Sequence, residues 1–416
     1  MAISLSTSLV QSEAKQRNWL KNGPSHYFTL TARKPVIYCS YNRMTMKISS
    51  FLSRIILLLV LFSGSAYGQQ AKPWMMMPFS KPDSVNPILS PRTETVFDCP
   101  MRKVILSWES NHVFNPAAVV YNNKVYVLYR AEDTTGRGIG GHTSRIGLAV
   151  SRDGLHFVRN TTPVIYPAND AAKEYEWDGG CEDPRIVKSE DGVFVVTYTM
   201  WDKKTARIGV ATSKDLVSWT KHGPAFAKAL NGKFKDNWSK SGSIICQIKE
   251  DQLIAAKING KYWMYWGDVN IHLASSTDLI NWEPVTDKAW NLNSVFTTRP
   301  GKFDSDLVEP GPPAIVTKKG IVFLYNSRNS ATSGDTSLPA NTYAAGQILL
   351  DYNDPSKVLD RCDNYFLKPE KPYELTGQYA AGTVFIEGMV YFNKRWLLYY
   401  GTADSKVAVA TYTSPE

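Results

Sequence analysis

RIGLAVS at residues 145–151 leads into Asp153, Gly154 and Phe157, and RIGVATS at 207–213 leads in the same way into Asp215, Leu216 and Trp219. A third copy, NIHLASS at 270–276, runs into Asp278, Leu279 and Trp282. The period is roughly 60 residues, somewhat longer than tabulated propeller-blade periods. Each copy reads as an alternating strand ending in a Ser, Asp turn closed by an aromatic. Between the copies a second unit recurs, a turn followed by an aromatic-rich strand: NNKVYVLY at 122–129, DGVFVVTY at 191–198, NGKYWMYW at 259–266, KGIVFLY at 319–325 and NKRWLLYY at 393–400. Their Asn, Asp and Gly turns and their β-branched and aromatic content are those of hairpins. No long amphipathic helix interrupts them. The fold class is therefore all-β. Five strand-rich units, none able to bury its sheet alone, predict a five-bladed β-propeller around a central channel. A β-sandwich pair accounts for the strands but not for the recurring turn. Aromatic clusters such as Tyr262, Trp263, Tyr265 and Trp266 are expected mostly in the core between units, with a minority facing the channel, where sugar rings stack.

The chain has 416 residues and a formal net charge of +9. Most of that charge lies near its start, where Lys15, Arg17, Lys21, Arg33, Lys34, Arg43, Lys47 and Arg54 face only Glu13. Residues 46–68 read as a secretory signal: a basic start, an apolar run at 55–62, then Ala66, Tyr67 and Gly68 at a cleavage-site spacing. The run is too short for a spanning helix. Residues 1–45 lack a clear pattern and are expected to be an unstructured or mis-annotated extension, leaving 69–416 as a single catalytic domain. The remaining chain is only slightly basic and has no basic cluster interleaved with aromatics, so neither nucleic acid nor a membrane beyond the signal is an expected partner. Cys99, Cys181, Cys246 and Cys362 remain, with no pair at metal-ligand spacing. No cofactor or metal is expected, and the location is periplasmic or extracellular.

Chemistry concentrates at GGCEDPRI, residues 179–186, which places two carboxylates and a guanidinium in a turn ahead of a strand-like run. Pro184 fixes its own φ and disfavours the helical region for Asp183, so the Asp183 carboxylate is expected on rigid, extended backbone. Arg185 offers a planar fork of donors that can orient a neighbouring acid. The plainer alternative is a structural ion pair capping a β-turn. NHVFNPA at 111–117 and YRAED at 129–133 add further polar groups where inner strands should begin or end. If the units converge on one axis, such residues form a funnel of carboxylates, amides and guanidinium groups suited to a hydroxyl-rich ligand.

The chain from about Asn111 onward resembles glycoside hydrolase family 130, the β-mannoside phosphorylases and β-mannosidases. The resemblance rests on Asn115, Pro116, Ala117; Tyr129, Arg130, Ala131 with Asp133; residues 180–186; KINGKY at 257–262; Gly311, Pro312, Pro313; and YYGTAD at 399–404. It implies a five-bladed propeller, a mannosyl unit in the funnel, inversion at the anomeric carbon, and Asp183 as general acid, its proton relayed through a sugar hydroxyl. Asn115, Arg130, Asp133, Arg145, Arg185, Arg207, Lys257 and Asp404 are the expected substrate-binding residues.

The chain also departs from the family pattern. Phosphorylases of the family read Leu, His, Arg, Pro after KINGKY, the His belonging to their phosphate site; here Tyr265, Trp266 and Gly267 occupy those places and Asp268 follows. Glu309 stands where they carry a Gly-rich stretch. Two carboxylates repel a phosphate dianion and suit a water instead. An inverting glycosidase needs an acid and a base on opposite faces of the sugar, and Asp183 with Asp268 and Glu309 supplies such a set. The expected activity is hydrolysis of β-mannosidic bonds in short oligosaccharides. Arg145, Arg185, Arg207 and Lys257, as remnants of an oxyanion site, keep phosphorolysis to mannose 1-phosphate as the alternative. A non-catalytic sugar-binding propeller is a third reading. The insertions at 160–177 and 329–342 are expected to form the funnel rim.

Overall fold

The computed structural model describes residues 71–413. The expected extension at 1–45 and signal at 46–68 lie outside these residues. The described chain is nearly all β, with helix confined to short pieces such as Lys173–Glu176 and Pro372–Leu375. No described helix is long and apolar enough to cross a membrane.

The strands group into five antiparallel meanders in chain order. The first is His112–Tyr121, Lys124–Glu132 and Ser144–Ser151. The second is Gly180–Lys188, Phe194–Trp201, Ala206–Ser213 and Thr220–Pro224. Ser243–Lys249, Lys261–Trp266 and Asn270–Ser276 make the third. In the fourth, Leu307–Pro310 and Ala314–Thr317 both pair with Gly320–Arg328, which pairs with Tyr343–Leu350. The fifth is Val384–Phe392, Arg395–Thr402 and Lys406–Tyr412. Its outer strand is covered by the first part of the described chain: Ser80 exchanges both backbone hydrogen bonds with Thr411, Leu89 accepts from Val407, and the Asn86 amide bonds both backbone groups of Val409.

The repeat has a simple mechanical cause. At each copy the Ser hydroxyl caps a backbone N–H three residues on, at 2.8 Å for Gly154, 2.8 Å for Leu216 and 2.9 Å for Leu279. The following Asp accepts from the Ser hydroxyl and from the backbone N–H of Leu155, Val217 or Ile280. The capped residue takes positive φ in all three. Trp219 and Trp282 then donate their indole N–H to the carbonyls of Leu216 and Leu279. Side chains thus replace the ladder bonds that a tight turn gives up.

Each meander packs on its neighbours. Leu128 and Ile146 of the first share a buried cluster with Ile186 and Val196 of the second. Tyr265 and Ile245 of the third pack with Phe323 and Ile348 of the fourth. Val390 and Leu397 of the fifth join Val113 and Val127 of the first. A larger cluster runs through the second to the fifth, including Val210, Met264, Leu324 and Leu398. A buried aliphatic or aromatic side chain contributes roughly 1.5–3 kcal/mol, against about 1 kcal/mol for a typical hydrogen bond. These interfaces therefore dominate cohesion between meanders. The aromatic-rich strands supply them: Tyr262, Tyr265 and Trp266 are all buried.

Candidate active site

The meanders bring polar side chains to one cavity of about 300 Å³: Asn115, Asp183 and Glu309 from first strands, Arg130 from a second strand and Asp404 from the turn after one. Two of these residues sit at β-bulges. The pairing of His112–Tyr121 shifts register between Phe114 and Pro116, and Asn115 there takes φ 46°. The pairing of Gly180–Lys188 shifts between Glu182 and Arg185, and Asp183 takes φ 48°. The expected extended backbone at Asp183 is therefore corrected: the bulge forces the left-handed region, which Asp tolerates better than most residues. The effect is to turn both side chains out of the strand alternation and toward each other. Asn115 Nδ2 donates to Asp183 Oδ1 at 2.9 Å.

Arg130 organises the acid side. Its guanidinium reaches Asp183 Oδ1 at 3.1 Å, Glu182 Oε1 at 2.8 Å and Glu132 Oε1 at 2.7 Å, with Nε on the Ser144 hydroxyl. It lies 4.7 Å over the Phe114 ring. Burial pushes the Asp183 carboxyl up, but Arg130, Lys240, Arg185 and the Asn115 bond outweigh it and hold it below its ordinary value. Its neighbour Glu182 goes the other way, raised by burial and by the charges of Asp183 and Glu132 against the pull of Arg130. Burial pushes Asp404 up to about 7, the nearby Asp183 and Glu132 adding to it against the pull of Arg130. Near neutral pH one carboxylate thus stands beside carboxyls that retain protons.

A second group in the cavity is built around Glu309, on the short strand Leu307–Pro310 and nearly fully buried. Its Oε1 accepts a hydrogen bond from the Ser241 hydroxyl and lies 3.6 Å from Lys240 Nζ. Glu309, opposed by burial, raises the ammonium's pKa, with Asp183, Asp268 and Glu182 acting the same way. Lys240 therefore joins the two carboxylate groups electrostatically. Beneath them Arg185 bonds the carbonyls of Asp183, Pro310 and Gly311, tying the acid strand to the Glu309 strand. Its Nη2 is also 3.1 Å from the buried Glu387 carboxyl, which burial pushes well up.

Aromatic side chains line the cavity wall. Trp201 and Trp238 meet edge to face with centroids 6.0 Å apart, and Tyr343 and Tyr379 do so at 5.1 Å. The Trp201 indole donates to the Gly140 carbonyl. Such faces stack on sugar rings.

Several expected site residues lie elsewhere. Asp133 and Arg145 form a buried ion pair at 2.7 Å, with Arg145 over the Phe97 ring, and neither lines the cavity. Arg207 is committed to Asp202 and Asp236. Lys257 is exposed on a tight hairpin, its ammonium 5.0 Å from the Tyr262 ring centroid, and it does not line the cavity. Arg185 acts behind the wall rather than on it. Asp268 also stands outside the lining, accepting from the Trp238 indole at 3.2 Å. The insertions at 160–177 and 329–342 contribute no lining residue: Glu176 is drawn into a buried bond network with Tyr198 and Lys221, and Asn329 folds its own loop inward through the carbonyls of Asp335, Leu338 and Pro339. Sequence reasoning singled out Glu182 as one of the two carboxylates of its central motif but missed Lys240, Trp201, Trp238, Arg328, Tyr343 and Tyr379 as cavity residues. One signal for Lys240 was present: WSKSG at 238–242 is a short polar stretch just ahead of a first strand, as NHVFN is.

Residues 81–416 match the family model Glyco_hydro_130, described as beta-1,4-mannooligosaccharide phosphorylase. A 1,2-beta-oligomannan phosphorylase of Thermoanaerobacter sp. (strain X514) is 33% identical over 332 residues, covering 79% of this chain and 95% of that one. A solved glycosyl hydrolase from Bacteroides ovatus is 52% identical at TM-score 0.82, covering 84% of this chain and 98% of that one. Another solved structure, 51% identical at TM-score 0.82 with the same coverage, was reported under the words "The GH130 family of mannoside phosphorylases contains glycoside hydrolases that target beta-1,2 mannosidic linkages in Candida mannan".

Proposed function

The chain belongs to glycoside hydrolase family 130, and from that premise we propose that it is a β-mannoside-cleaving enzyme that uses water as acceptor and inverts the anomeric carbon. The observation that carries this reading is Glu309 in the wall of the same cavity as Asp183, its carboxylate held by Ser241 and Lys240. An inverting hydrolase needs a base on the face opposite its acid. In this reading Glu309 accepts a proton from the attacking water, and Lys240 and Ser241 hold its carboxylate in place. Asp183 is an anion in the free protein, so we assign the acid role to the pair Glu182–Asp183, which shares one proton under the control of Arg130. Asn115 and Asp404 hold the sugar hydroxyls, and Trp201, Trp238, Tyr343 and Tyr379 receive the ring faces.

A second reading is phosphorolysis, favoured by the names of the curated relatives. Arg130, Lys240 and Arg328 are the cations of the cavity. Each already faces a carboxylate: Arg328 bonds Asp306 at 2.5 Å, Lys240 faces Glu309, and Arg130 holds three. A dianion entering there must compete with those carboxylates, which favours water as the acceptor.

We further infer that the five meanders are the blades of a five-bladed propeller with the cavity on its axis, and that residues 46–68 are removed on export. Cycling of packing from each meander to the next supports the first inference. N-terminal sequencing of protein recovered from the producing cell's exterior or periplasm tests the second. The deciding assay incubates the enzyme with β-1,2- and β-1,4-mannobiose, with and without inorganic phosphate. Free mannose at a rate indifferent to phosphate supports hydrolysis; mannose 1-phosphate formed only with phosphate installs the second reading.

A further inference from the structure

Beside the cavity, but not part of its lining, three side chains of metal-ligating type meet. His112 opens the first strand of the first meander, Glu132 closes the second, and His142 lies two residues before the third. One ligand atom from each lies within 4.8 Å of the others. Sequence spacing gives no hint of the group, because residues 112, 132 and 142 are gathered only by the folding of the meander.

Their present bonds leave coordinating atoms over. His142 is 7% exposed and its Nδ1 has no hydrogen-bond partner, while Nε2 has only a 3.4 Å contact with the Asn111 amide. The two imidazoles meet edge to face at 5.9 Å without a hydrogen bond between them. The His112 ring bonds only through Nδ1, to the Ser405 hydroxyl at 3.2 Å. Glu132 is fully buried; Oε1 is taken by Arg130 and Ser144, but Oε2 has only the Gln378 amide at 3.4 Å. A buried imidazole nitrogen without a donor or acceptor is unusual in a packed protein and calls for an explanation.

We propose that His112, Glu132 and His142 form a binding site for a divalent transition-metal ion of the zinc type. Two imidazoles and one carboxylate are zinc's preferred donors, whereas calcium and magnesium take oxygen shells. Bonds of about 2.0–2.2 Å place neighbouring donors about 3.3 Å apart, so side-chain rotation must draw the group together. The remaining position is left to water. The ion would close the segment 133–143, which carries Ile139 and Gly140 into the cavity wall, onto the strands on either side of it. It would also compete with Arg130 for Glu132, and Arg130 is the residue that holds Glu182 and Asp183.

The test is zinc titration of chelator-treated, full-length folded protein by calorimetry, with hydrogen exchange of residues 133–143 measured alongside. One saturable zinc per chain is expected, with slower exchange in that segment on binding and no comparable uptake of calcium or magnesium. His142→Ala should weaken binding by more than the roughly 10–100-fold typical of changes to outer-shell partners. If a thermal melt shows that His142→Ala does not fold, His112→Gln, on the half-buried ring, decides alone. Absence of saturable zinc binding in the wild type overturns the proposal. So does binding that neither variant weakens, since the zinc then sits elsewhere on the surface. None of these readouts depends on how the mannoside bond is cleaved.

Discussion

Lys240 Nζ lies 3.6 Å from Glu309 Oε1, and that same oxygen accepts the Ser241 hydroxyl. A cation and a hydroxyl donor thus converge on one oxygen of the carboxylate assigned as base. Removing the Glu309 charge removes the main pull that holds the Lys240 ammonium. Glu309→Gln keeps the shape and can still accept from Ser241, but it cannot take a proton. Turnover should fall by roughly 10²–10⁴-fold, with the affinity for mannose little changed. Steady-state kinetics and calorimetric binding of mannose check this together; full turnover in the variant removes Glu309 from the chemistry.

Asp268 supplies the contrast. Its Oδ2 accepts from the Trp238 indole and it lies outside the cavity lining. Asp268→Asn retains an oxygen able to accept that bond, so turnover should stay within several-fold of wild type. A loss as large as that of Glu309→Gln would bring Asp268 into the reaction. Lys257→Ala, on its exposed hairpin, should leave kcat and KM unchanged.

The pH profile follows from the raised carboxyls. Asp404 is pushed up to about 7 by burial and neighbouring anions, and Glu182 is raised by the same causes. An acid group works only while protonated, and its protonated fraction falls as pH rises through its pKa. The alkaline limb of kcat/KM should therefore begin near neutrality, well above the range of an ordinary carboxyl. Glu182→Gln should abolish that limb along with most activity. A limb that stays in place in Glu182→Gln and moves in Asp404→Asn assigns the proton to Asp404 instead.

Arg130→Lys tests the clamp on the acid side. A lysine offers one compact ammonium where the fork now serves Asp183, Glu182 and Glu132. Leaving buried carboxylates without partners costs several kcal/mol, so the variant should lose thermal stability and activity together. Undiminished activity would show that Asn115 alone suffices to hold Asp183.

Gly401 sets the position of Asn115. A Cβ at Gly401 would lie 2.1 Å from Asn115 Oδ1. Gly401→Ala should therefore cost roughly 1–3 kcal/mol as an overpacking change and displace Asn115 from Asp183. Activity should fall more than the change in melting temperature alone explains, which kinetics below the melting range will show.

Much of this fold was legible because its repeat rests on local chemistry. The Ser, Asp turn is satisfied by residues within five positions of one another, so RIGLAVS, RIGVATS and NIHLASS announce it in the sequence. The acid side of the cavity was legible for a related reason, since Asn115, Arg130, Asp183 and Asp404 sit in short motifs at bulges, strands or turns. What could not be read was which charges point inward. Arg145 and Arg207 occupy the same place in their repeats, one residue after the strand's start, and both turn to local carboxylates, Asp133 and Asp202. Lys240 escaped notice because its function lies in long-range proximity to Glu309 and Asp183, residues far away in the chain. The aromatic wall, from Trp201 to Tyr379, was hidden among a dozen similar residues that serve the core.

The pairing of Ser80, Asn86 and Leu89 with Val407, Val409 and Thr411 has a consequence for biosynthesis. The first part of the domain to leave the ribosome finds its hydrogen-bonding partner only in the last strand to be made. Until then Lys406–Tyr412 does not exist, and the segment around Ser80 has nothing to pair with. The final seam therefore closes only after translation ends. A chain shortened to start beyond Leu89 would present Lys406–Tyr412 as a bare edge, open to strands of other molecules. Such a truncation should leave the cavity's residues intact yet yield aggregated protein.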